Sequence, residues 1–281
     1  MRVRFSKMHG AGNDFVVVNL LEGGPIEDLD AFARHVLDRS RGVGGDQLLL
    51  VQPSREADFF MGIRNPDGST AEMCANGIRV FLKYLRDHGL TSTNSARIET
   101  LAGVVTPRQQ EGGEIEVEMV RPVLAPEKIP TTLRDPDERR PLVGVPLEVD
   151  GLQLDVTPVS MGNPHCVLFV EDPERAPVER LGPAIERHPA FPQRTNVEFV
   201  AVVSEGELVQ RTWERGTGET LACGSGACAS AVAGVLAGRS GRDVRIRLRG
   251  GILRVRWPRD DGPVWLTGPA VQVFEGELDL P

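Results

Sequence analysis

Lysine is scarce in this sequence of 281 residues, which limits the chemistry open to the chain. The three lysines are Lys7, Lys83 and Lys128. Lys83 falls inside a predicted amphipathic helix and Lys128 lies in a proline-rich segment, so neither has a phosphate-binding context. Enzymes that use pyridoxal phosphate need a lysine for the Schiff base. We therefore expect chemistry that does not depend on this cofactor, and we predict no other cofactor.

Long apolar runs and an excess of positive charge are also missing. No segment approaches the roughly 18 apolar residues of a membrane-spanning helix. The N-terminus lacks the apolar core of a signal peptide, so we expect a cytoplasmic protein with no membrane partner. The net charge of −8 argues against a nucleic-acid partner, because a general nucleic-acid binder needs a basic surface. A small anionic ligand stays compatible with this charge.

The four cysteines and five histidines show neither a metal-binding nor a disulfide pattern. There is no Cys-x-x-Cys pair and no His-x-x-x-His pair, which disfavours structural zinc and a thioredoxin-like redox role. Four cysteines in a chain of this length do not make a disulfide scaffold. We therefore predict no metal site and interpret the cysteines as thiols.

Cys74 and Cys223 have matching surroundings. Each follows a polar loop that contains glycine, and each is followed by a glycine three residues later and then by a helix-forming run. A thiol at a helix start becomes acidic, because the unpaired backbone N–H groups and the helix dipole favour the thiolate. The other two, Cys166 and Cys228, lie in apolar or small-residue runs that indicate inert, buried thiols. We therefore predict two reactive thiols, one in each half of the chain.

Two such thiols can act together on a carbon that neighbours a carboxylate. A thiolate on one face removes the proton, a thiol on the opposite face returns one, and the configuration inverts. The enolate that develops needs hydrogen-bond donors, and backbone N–H groups at the two helix starts can supply them. These groups belong to Ala75, Asn76, Gly224 and Ser225.

Further polar residues in or beside turns are candidates for holding a ligand. They are Asn13, Gln47, Asn65, Asn163, Asn196 and Arg215. Asparagine is common in turns, so each of them taken singly is more often structural. His165 is either a satisfied core histidine or a proton partner for a thiol. Glu214 is either one half of a surface ion pair with Arg215 or a member of the site, and its position just before the second cysteine loop favours the site.

The predicted elements are mostly strands, with one cysteine-headed helix in each half. This order favours an α+β fold over a doubly wound parallel sheet. Six prolines crowd the stretch from Pro122 to Pro146, and proline extends neither ladders nor helices. We therefore predict two domains, 1–121 with Cys74 and 122–268 with Cys223. The second helix is rich in alanine and glycine on every side, which predicts full burial.

Several blocks of the sequence, spread from end to end, resemble the diaminopimelate epimerase family. They are Lys7-Met-His-Gly-Ala-Gly-Asn13-Asp14-Phe15, Arg41-Gly-Val-Gly-Gly-Asp46-Gln47, Asn65-Pro-Asp-Gly68 with the Cys74 loop, Gly162-Asn-Pro-His165, Arg194-Thr-Asn196-Val-Glu-Phe199, and Glu214-Arg-Gly-Thr-Gly-Glu-Thr-Leu-Ala-Cys223-Gly-Ser-Gly226. The resemblance implies two similar domains, each a mixed or antiparallel sheet curled around a central helix, with the active site in the cleft between them. It also implies that a C-terminal strand, 269–281, returns to the first domain.

The activity that the resemblance implies is the interconversion of LL- and meso-2,6-diaminoheptanedioate by two thiols, without a cofactor. This dicarboxylic diamino acid, the small-molecule partner, leads to lysine and to peptidoglycan precursors. Cys74 and Cys223 match the acid/base thiols, while His165 and Glu214 match residues that assist proton movement. Asn13, Asn65, Asn163, Asn196 and Arg215 match positions that hold the distal end of the substrate, and Gln47 matches another ligand contact.

Two positions depart from the usual pattern of the family. Ala75 stands where the family usually has glycine, and Val80 stands where a further cysteine or similar residue is usual. Ala75 keeps its N–H, so its contact with the enolate survives if its backbone angles accept a Cβ atom. The alternatives are a proline racemase-like or other two-cysteine isomerase of the same superfamily, a non-catalytic amino-acid-binding protein and a thiol redox protein. The sequence does not set the oligomeric state, and a homodimer is compatible with it.

Overall fold

The computed structural model of the protein describes residues 2–136 and 140–279. The chain separates into two units: unit 1 is Met1–Glu118 with Thr267–Pro281, and unit 2 is Met119–Leu266. The sequence placed the corresponding boundaries after residues 121 and 268. The last two residues of the predicted strand 269–281 lie outside the described part of the chain.

Unit 1 is built on a mixed sheet with the strand order β18-β1-β2-β3-β4-β5-β6. Its strands and helices are β1 (Arg2–Gly10), β2 (Asn13–Asn19), α1 (Leu20–Gly23), α2 (Leu29–Val36), β3 (Gln47–Gln52), β4 (Phe59–Arg64), α3 (Ala75–Asp87), β5 (Ile98–Thr100), β6 (Gly103–Val105), β7 (Arg108–Gln109), β8 (Ile115–Glu118) and β18 (Val271–Asp279). Pairs β2/β3 and β4/β5 are parallel, whereas β18 and β1 pair antiparallel along most of their length.

A tight hairpin joins β1 to β2 and places the first polar residue of the site. Gly10 pairs with Asn13, so the loop has only Ala11 and Gly12, both with positive φ (53° and 87°). Two successive positive φ angles match the right-handed twist of the flanking strands, and Gly12 adopts one of them without steric cost. Asn13 therefore begins β2 directly after a loop of two residues.

The two faces of the unit 1 sheet carry different helices. Alternate residues of β2 and β3, such as Val16 and Leu48, pack with Phe32 and Val36 of α2. The opposite face lies under α3, which contacts β1, β2 and β3 and is buried on almost every side. The sequence predicted an amphipathic helix after Cys74, and the observed burial is more complete because α3 is the central helix of its unit.

Unit 2 repeats this plan with a longer sheet. Its elements are a 3₁₀ turn (Pro126–Lys128), β9 (Val145–Val149), β10 (Leu152–Ser160), β11 (Pro164–Phe169), α4 (Val178–Glu186), β12 (Asn196–Ser204), β13 (Glu207–Glu214), β14 (Gly218–Thr220), α5 (Gly224–Leu236), β15 (Asp243–Leu248), β16 (Gly251–Arg256) and β17 (Trp265–Gly268), which runs to the point where the chain returns to unit 1. Within the unit, the strands follow the order β16-β15-β13-β12-β11-β10-β9, and β14 pairs with β13.

Helix α4 and helix α5 cover opposite faces of the unit 2 sheet. Val197 and Phe199 of β12 and Cys166 of β11 point into the apolar core under α4. The next residues along each strand face α5, which contacts β10, β11, β12 and β16. Helix α5 is buried from Gly226 to Gly234, as its alanine- and glycine-rich sequence predicts.

Each unit is thus a mostly antiparallel, mixed sheet with one buried central helix, and the predicted α+β class is confirmed. No helix in the described part of the chain is both long and apolar enough to cross a membrane.

Candidate active site

The central helix of each unit begins directly after one of the two predicted cysteines. Cys74 is the N-cap of α3, and its Sγ accepts a hydrogen bond from the N–H of Gly77 at 3.4 Å. Cys223 is the N-cap of α5. The first N–H groups of a helix have no intrahelical acceptor, so each thiol lies beside unpaired donors. Each unit therefore supplies one thiol at a helix N-terminus, and we describe its surroundings as a half-site.

The N–H groups predicted to hold an enolate occupy the first two positions of each helix. They belong to Ala75 and Asn76 in α3 and to Gly224 and Ser225 in α5. Ala75 lies within the helix, where right-handed backbone angles accept a Cβ atom without strain. The departure at this position thus leaves the N–H in place. Val80, the second departure, is fully buried in α3.

A chain of oriented amides surrounds Cys74 in unit 1. Arg79 donates to Asn76 Oδ1 at 2.8 Å, and Asn76 Nδ2 donates to Asn13 Oδ1 at 3.2 Å. Asn13 Nδ2 in turn donates to Asp46 Oδ2 at 2.7 Å. The chain runs from a cation to a carboxylate, so the orientation of both amides is set. Asn13 Oδ1 consequently faces the Cys74 thiol, with 3.8 Å between the oxygen and Sγ.

An ion network holds the carboxylate end of this chain. Arg39 donates to Asp46 Oδ1 and to Asp14 Oδ1, each at 2.7 Å, and Lys7 contacts both Asp14 and the carbonyl of Gly44. Burial raises the pKa of Asp14, but the hydrogen bonds and positive charges of Arg39 and Lys7 together outweigh this effect and hold the pKa far below its usual range. Asp46 carries no obvious signal in the sequence beyond its place in the Gly-Gly-Asp46-Gln47 block. The hydrogen bond by which Asp46 orients the Asn13 amide is seen only in the structure.

Gln47 and Asn65 lie together at one end of the unit 1 sheet. Strands β3 and β4 are antiparallel, and the pairing of Leu48 with Arg64 brings the residues beyond them side by side. Gln47 Nε2 donates to Asn65 Oδ1 at 3.0 Å, while Gln47 Oε1 has no hydrogen-bond partner among the described residues. The structure therefore brings these two predicted ligand residues into direct contact.

The Cys223 half-site contains two carboxylates. Strands β13 and β14 form a hairpin in which Glu214 pairs with Gly218, and this brings the Glu214 side chain back to the Cys223 loop. Thr220 Oγ1 donates to Glu214 Oε1 at 2.6 Å, and the Cys223 thiol donates to the same carboxyl group. Burial raises the pKa of Glu214, and these hydrogen bonds partly oppose that shift. Glu214 thus belongs to the half-site rather than to a surface ion pair.

The sequence predicted a lowered pKa for the Cys223 thiol, and this prediction is wrong. Burial, followed by the negative charges of Glu214 and Glu198, raises the pKa of the Cys223 thiol well above its ordinary value. A hydrogen bond with Ser225, whose Oγ lies 3.5 Å from Sγ, opposes this shift. The backbone donors at the helix start lower the pKa of a thiol, whereas the fold adds desolvation and two carboxylates that raise it.

His165 belongs to the same polar cluster and is completely buried. Its Nδ1 lies 2.8 Å from Glu198 Oε1 and its Nε2 lies 3.0 Å from Asn163 Oδ1. Asn163 Nδ2 is directed at Ser225 Oγ, at 3.4 Å. His165 is therefore a satisfied buried histidine and also a member of the half-site, so the two alternatives from the sequence are not exclusive. Glu198 was not predicted as a site residue, although a carboxylate between the apolar residues Val197 and Phe199 was a visible signal.

Asn196 and Arg215 occupy the edge of this half-site. Asn196 donates to the carbonyl of Pro164 at 2.9 Å and accepts from the N–H of Arg215 at 2.9 Å, so its side chain is engaged by the backbone. It thereby fixes the start of the Arg215 loop, and the Arg215 guanidinium donates to the carbonyl of Gln193 at 3.1 Å. A substrate-binding role for either residue stays a prediction.

The remaining two cysteines have a different environment. Cys166 and Cys228 are fully buried, and desolvation raises the pKa of Cys166 well above its ordinary value. Among the described residues, no group of three or more histidine, cysteine, aspartate or glutamate side chains is arranged to hold a metal ion. Each half-site contains one thiol, backbone N–H donors and amides; the amide chain of unit 1 ends on the Asp46 carboxylate, and the half-site of unit 2 contains two carboxylates and an imidazole.

Comparison with known proteins identifies this pattern. The family model for diaminopimelate epimerase matches residues 5–125 and 157–273. The chain belongs to the diaminopimelate epimerase family. It is 50% identical to the diaminopimelate epimerase of Desulfitobacterium hafniense over 278 residues, which cover 97% of this chain and 96% of that protein. The enzyme of the same name from Leptospira biflexa is 46% identical, with 100% of both chains covered.

Several solved structures share the fold of this diaminopimelate epimerase family member. A phenazine biosynthesis protein of the PhzF family from Bacillus anthracis has a TM-score of 0.72 at 18% identity, with 100% of both chains covered. A hydroxyproline epimerase from Agrobacterium vitis has a TM-score of 0.68 at 17% identity, covering 99% of this chain and 91% of that one. Membership in the diaminopimelate epimerase family makes the chain an isomerase, as the sequence predicted.

Proposed function

We propose that the protein interconverts LL- and meso-2,6-diaminoheptanedioate without a cofactor, a step toward lysine and peptidoglycan precursors. One observation carries the proposal: each unit of a chain in the diaminopimelate epimerase family caps its buried central helix with a cysteine. The domain assignment is part of the proposal, with 1–121 and 269–281 supplying Cys74 and 122–268 supplying Cys223.

The proposed reaction uses the two thiols as acid and base on one α-carbon. One sulfur, as thiolate, removes the α-proton, and the other, as thiol, delivers a proton to the opposite face. The roles exchange for the reverse reaction. Helix-start N–H groups of Ala75, Asn76, Gly224 and Ser225 stabilise the enolate, because they point to where negative charge develops.

His165 and Glu214 are proposed to assist proton movement at Cys223. Glu214 shares a hydrogen bond with the thiol, and His165 lies in the same cluster through Asn163 and Ser225. The remaining predicted residues are proposed to hold the distal amino-acid end of the substrate. They are Asn13, Gln47, Asn65, Asn163, Asn196 and Arg215.

A stereochemical assay tests this proposal. Purified protein without added cofactor is incubated with LL-2,6-diaminoheptanedioate, and the isomers are separated by chiral chromatography. We expect an equilibrium mixture of LL and meso forms with the unaltered chain, and no conversion with Cys74→Ala or Cys223→Ala. Cys166→Ala is the matched control, since it removes a buried thiol outside both half-sites and is expected to keep kcat. Full turnover by either half-site variant would refute the two-thiol account.

The location and assembly of the protein are proposed on separate grounds. The cytosol keeps cysteines reduced, and Cys166 and Cys223 are free thiols, which supports the cytoplasm. A homodimer is supported by β18, which is the edge strand of the unit 1 sheet. Two of its apolar residues are exposed, Val273 to 57% and Phe274 to 48%. Sedimentation of the unaltered chain and of Val273→Lys tests the dimer: we expect a monomer only for the variant.

A further inference from the structure

Glu198 is a carboxylate buried inside an apolar strand segment. Its side chain has no exposed surface. Its Oε1 lies 2.8 Å from His165 Nδ1, and its Oε2 has no hydrogen-bond partner among the described residues. Burial of an unpaired carboxylate is costly, so His165 is the group that compensates this carboxylate.

The register of two parallel strands brings the pair together. His165 of β11 pairs with Asn196 of β12, and Val167 pairs with Glu198. Because alternate residues of a strand share a face, the sequence neighbours of Glu198, Val197 and Phe199, point into the core under α4. His165 and Glu198 are left on the opposite face, under the first turn of α5.

The glycine of the second cysteine motif makes room for this carboxylate. A Cβ atom on Gly226 would lie 2.7 Å from Glu198 Oε1, closer than real Cβ contacts. In the first motif, a Cβ atom on Gly77 would instead meet Cys74, Leu49 and Phe15 at 3.3 Å or more. The same motif position therefore serves two purposes: close packing on an apolar sheet in unit 1, and space for a carboxylate in unit 2.

We propose that Glu198 is a positioning residue of the epimerase reaction. It accepts a hydrogen bond from Nδ1–H of His165, which keeps the ring proton on that nitrogen, and it orients the ring so that Nε2 is directed at Asn163. A carboxylate behind an imidazole fixes the tautomer and ring orientation and stabilises the protonated ring. The role in catalysis rests on the proposed function, whereas the state of the ring does not.

A competing route from Glu198 to activity must be separated from this one. The negative charge of Glu198 also raises the pKa of the Cys223 thiol directly. An effect through the thiol would persist when His165 is absent, whereas a positioning effect would vanish with it.

The first experiment reads the ring itself. The full chain is labelled with ¹⁵N-histidine, and the signals of His165 are assigned by their loss in His165→Asn. We expect the ¹⁵N shift of Nδ1 to be that of a protonated ring nitrogen. A neutral ring that carries its proton on Nε2 would overturn the proposal. This measurement needs no substrate, so it stands even if the protein fails to epimerise diaminoheptanedioate.

The second experiment is a double-mutant cycle on turnover. Glu198→Gln keeps the shape of the side chain and removes its charge. We expect kcat to fall about 10- to 150-fold in the unaltered background, as for the loss of a charged hydrogen bond, with little change in KM. In the His165→Asn background the same substitution should cost no more than about twofold. Equal losses in both backgrounds would overturn the proposal.

A matched control guards the cycle against general effects. Glu207→Gln removes a carboxylate from the adjacent strand β13, where Glu207 forms an exposed ion pair with Arg247 at 3.2 Å. Exposed pairs contribute little, so we expect unchanged kcat and pH dependence. If Glu198→Gln does not fold, the ¹⁵N measurement on the unaltered chain decides alone.

Discussion

Adding one methyl group at Gly226 tests the link between helix α5 and the buried Glu198–His165 pair. The Cβ atom of Gly226→Ala would lie 2.7 Å from Glu198 Oε1, where ordinary contacts begin at 3.4 Å. The carboxylate must therefore shift by about 0.7 Å, and we expect this shift to break its 2.8 Å hydrogen bond with His165 Nδ1. Loss of a hydrogen bond to a charged group costs about 1.5–3 kcal/mol, or about 10- to 150-fold in kcat.

Gly77→Ala is the matched control for this prediction, because both glycines occupy the third position of their helix. Its Cβ atom would meet neighbours at 3.3–3.5 Å, which ask for shifts of only a few tenths of an ångström. Alanine in a helix is favoured over glycine by about 1 kcal/mol, so Gly77→Ala should lose little thermal stability, whereas Gly226→Ala should be less stable because it also loses the buried hydrogen bond. The assay is kcat for isomer conversion, beside thermal unfolding of both variants. Equal activity of the two variants would show that the Gly226 position does not affect the Glu198–His165 pair.

Three further predictions concern the remaining polar groups. Asp46→Asn should free the Asn13 amide to rotate and raise KM by about tenfold or more. The control Asp87→Asn loses only a surface ion pair with Lys83 and should leave KM unchanged. Equal KM values for the two variants would contradict a role of the amide chain in substrate binding. Thr220→Val should raise the pKa of Glu214 further, so the acid limb of the kcat/KM profile should move to higher pH, and an unmoved limb would argue against Glu214 as its source. Burial already raises the pKa of Glu214 above its usual 4.5, so its protonated form stabilises the folded state at low pH and this contribution is lost as pH rises through the folded-state pKa. Urea unfolding should therefore show Glu214→Gln gaining stability over the unaltered chain from pH 4 to pH 8, and a constant difference would contradict the assignment.

Local sequence patterns predicted the features of this fold that depend on neighbouring residues. The polar loop before Cys74 and the helix-forming run after it are contiguous, so the N-cap position follows from the sequence. The same holds for Cys223 and α5, and the alanine-rich sequence of α5 predicts that the helix is buried.

Features that depend on strand register could not be predicted in this way. The contact between His165 and Glu198 exists because β11 and β12 are parallel neighbours, which no spacing in the sequence reveals. The pKa of the Cys223 thiol was predicted to be lowered but is raised, for the same reason: β12 and β13 bring two carboxylates close to the thiol. Asn196 has the residue type of a ligand group, yet its side chain is engaged by two backbone partners.

Isotope incorporation is the sharpest test of whether two thiols act on opposite faces of one carbon. LL-2,6-diaminoheptanedioate is incubated with the unaltered protein in heavy water, without cofactor, and both isomers are examined early by NMR and mass spectrometry. With two thiols we expect one deuterium at the inverted α-carbon of the meso product and none in the remaining LL substrate. The reason is that the thiolate that removes the proton is not the thiol that returns one. Deuterium appearing equally fast in recovered substrate, or a meso product that keeps its original α-proton, would contradict it.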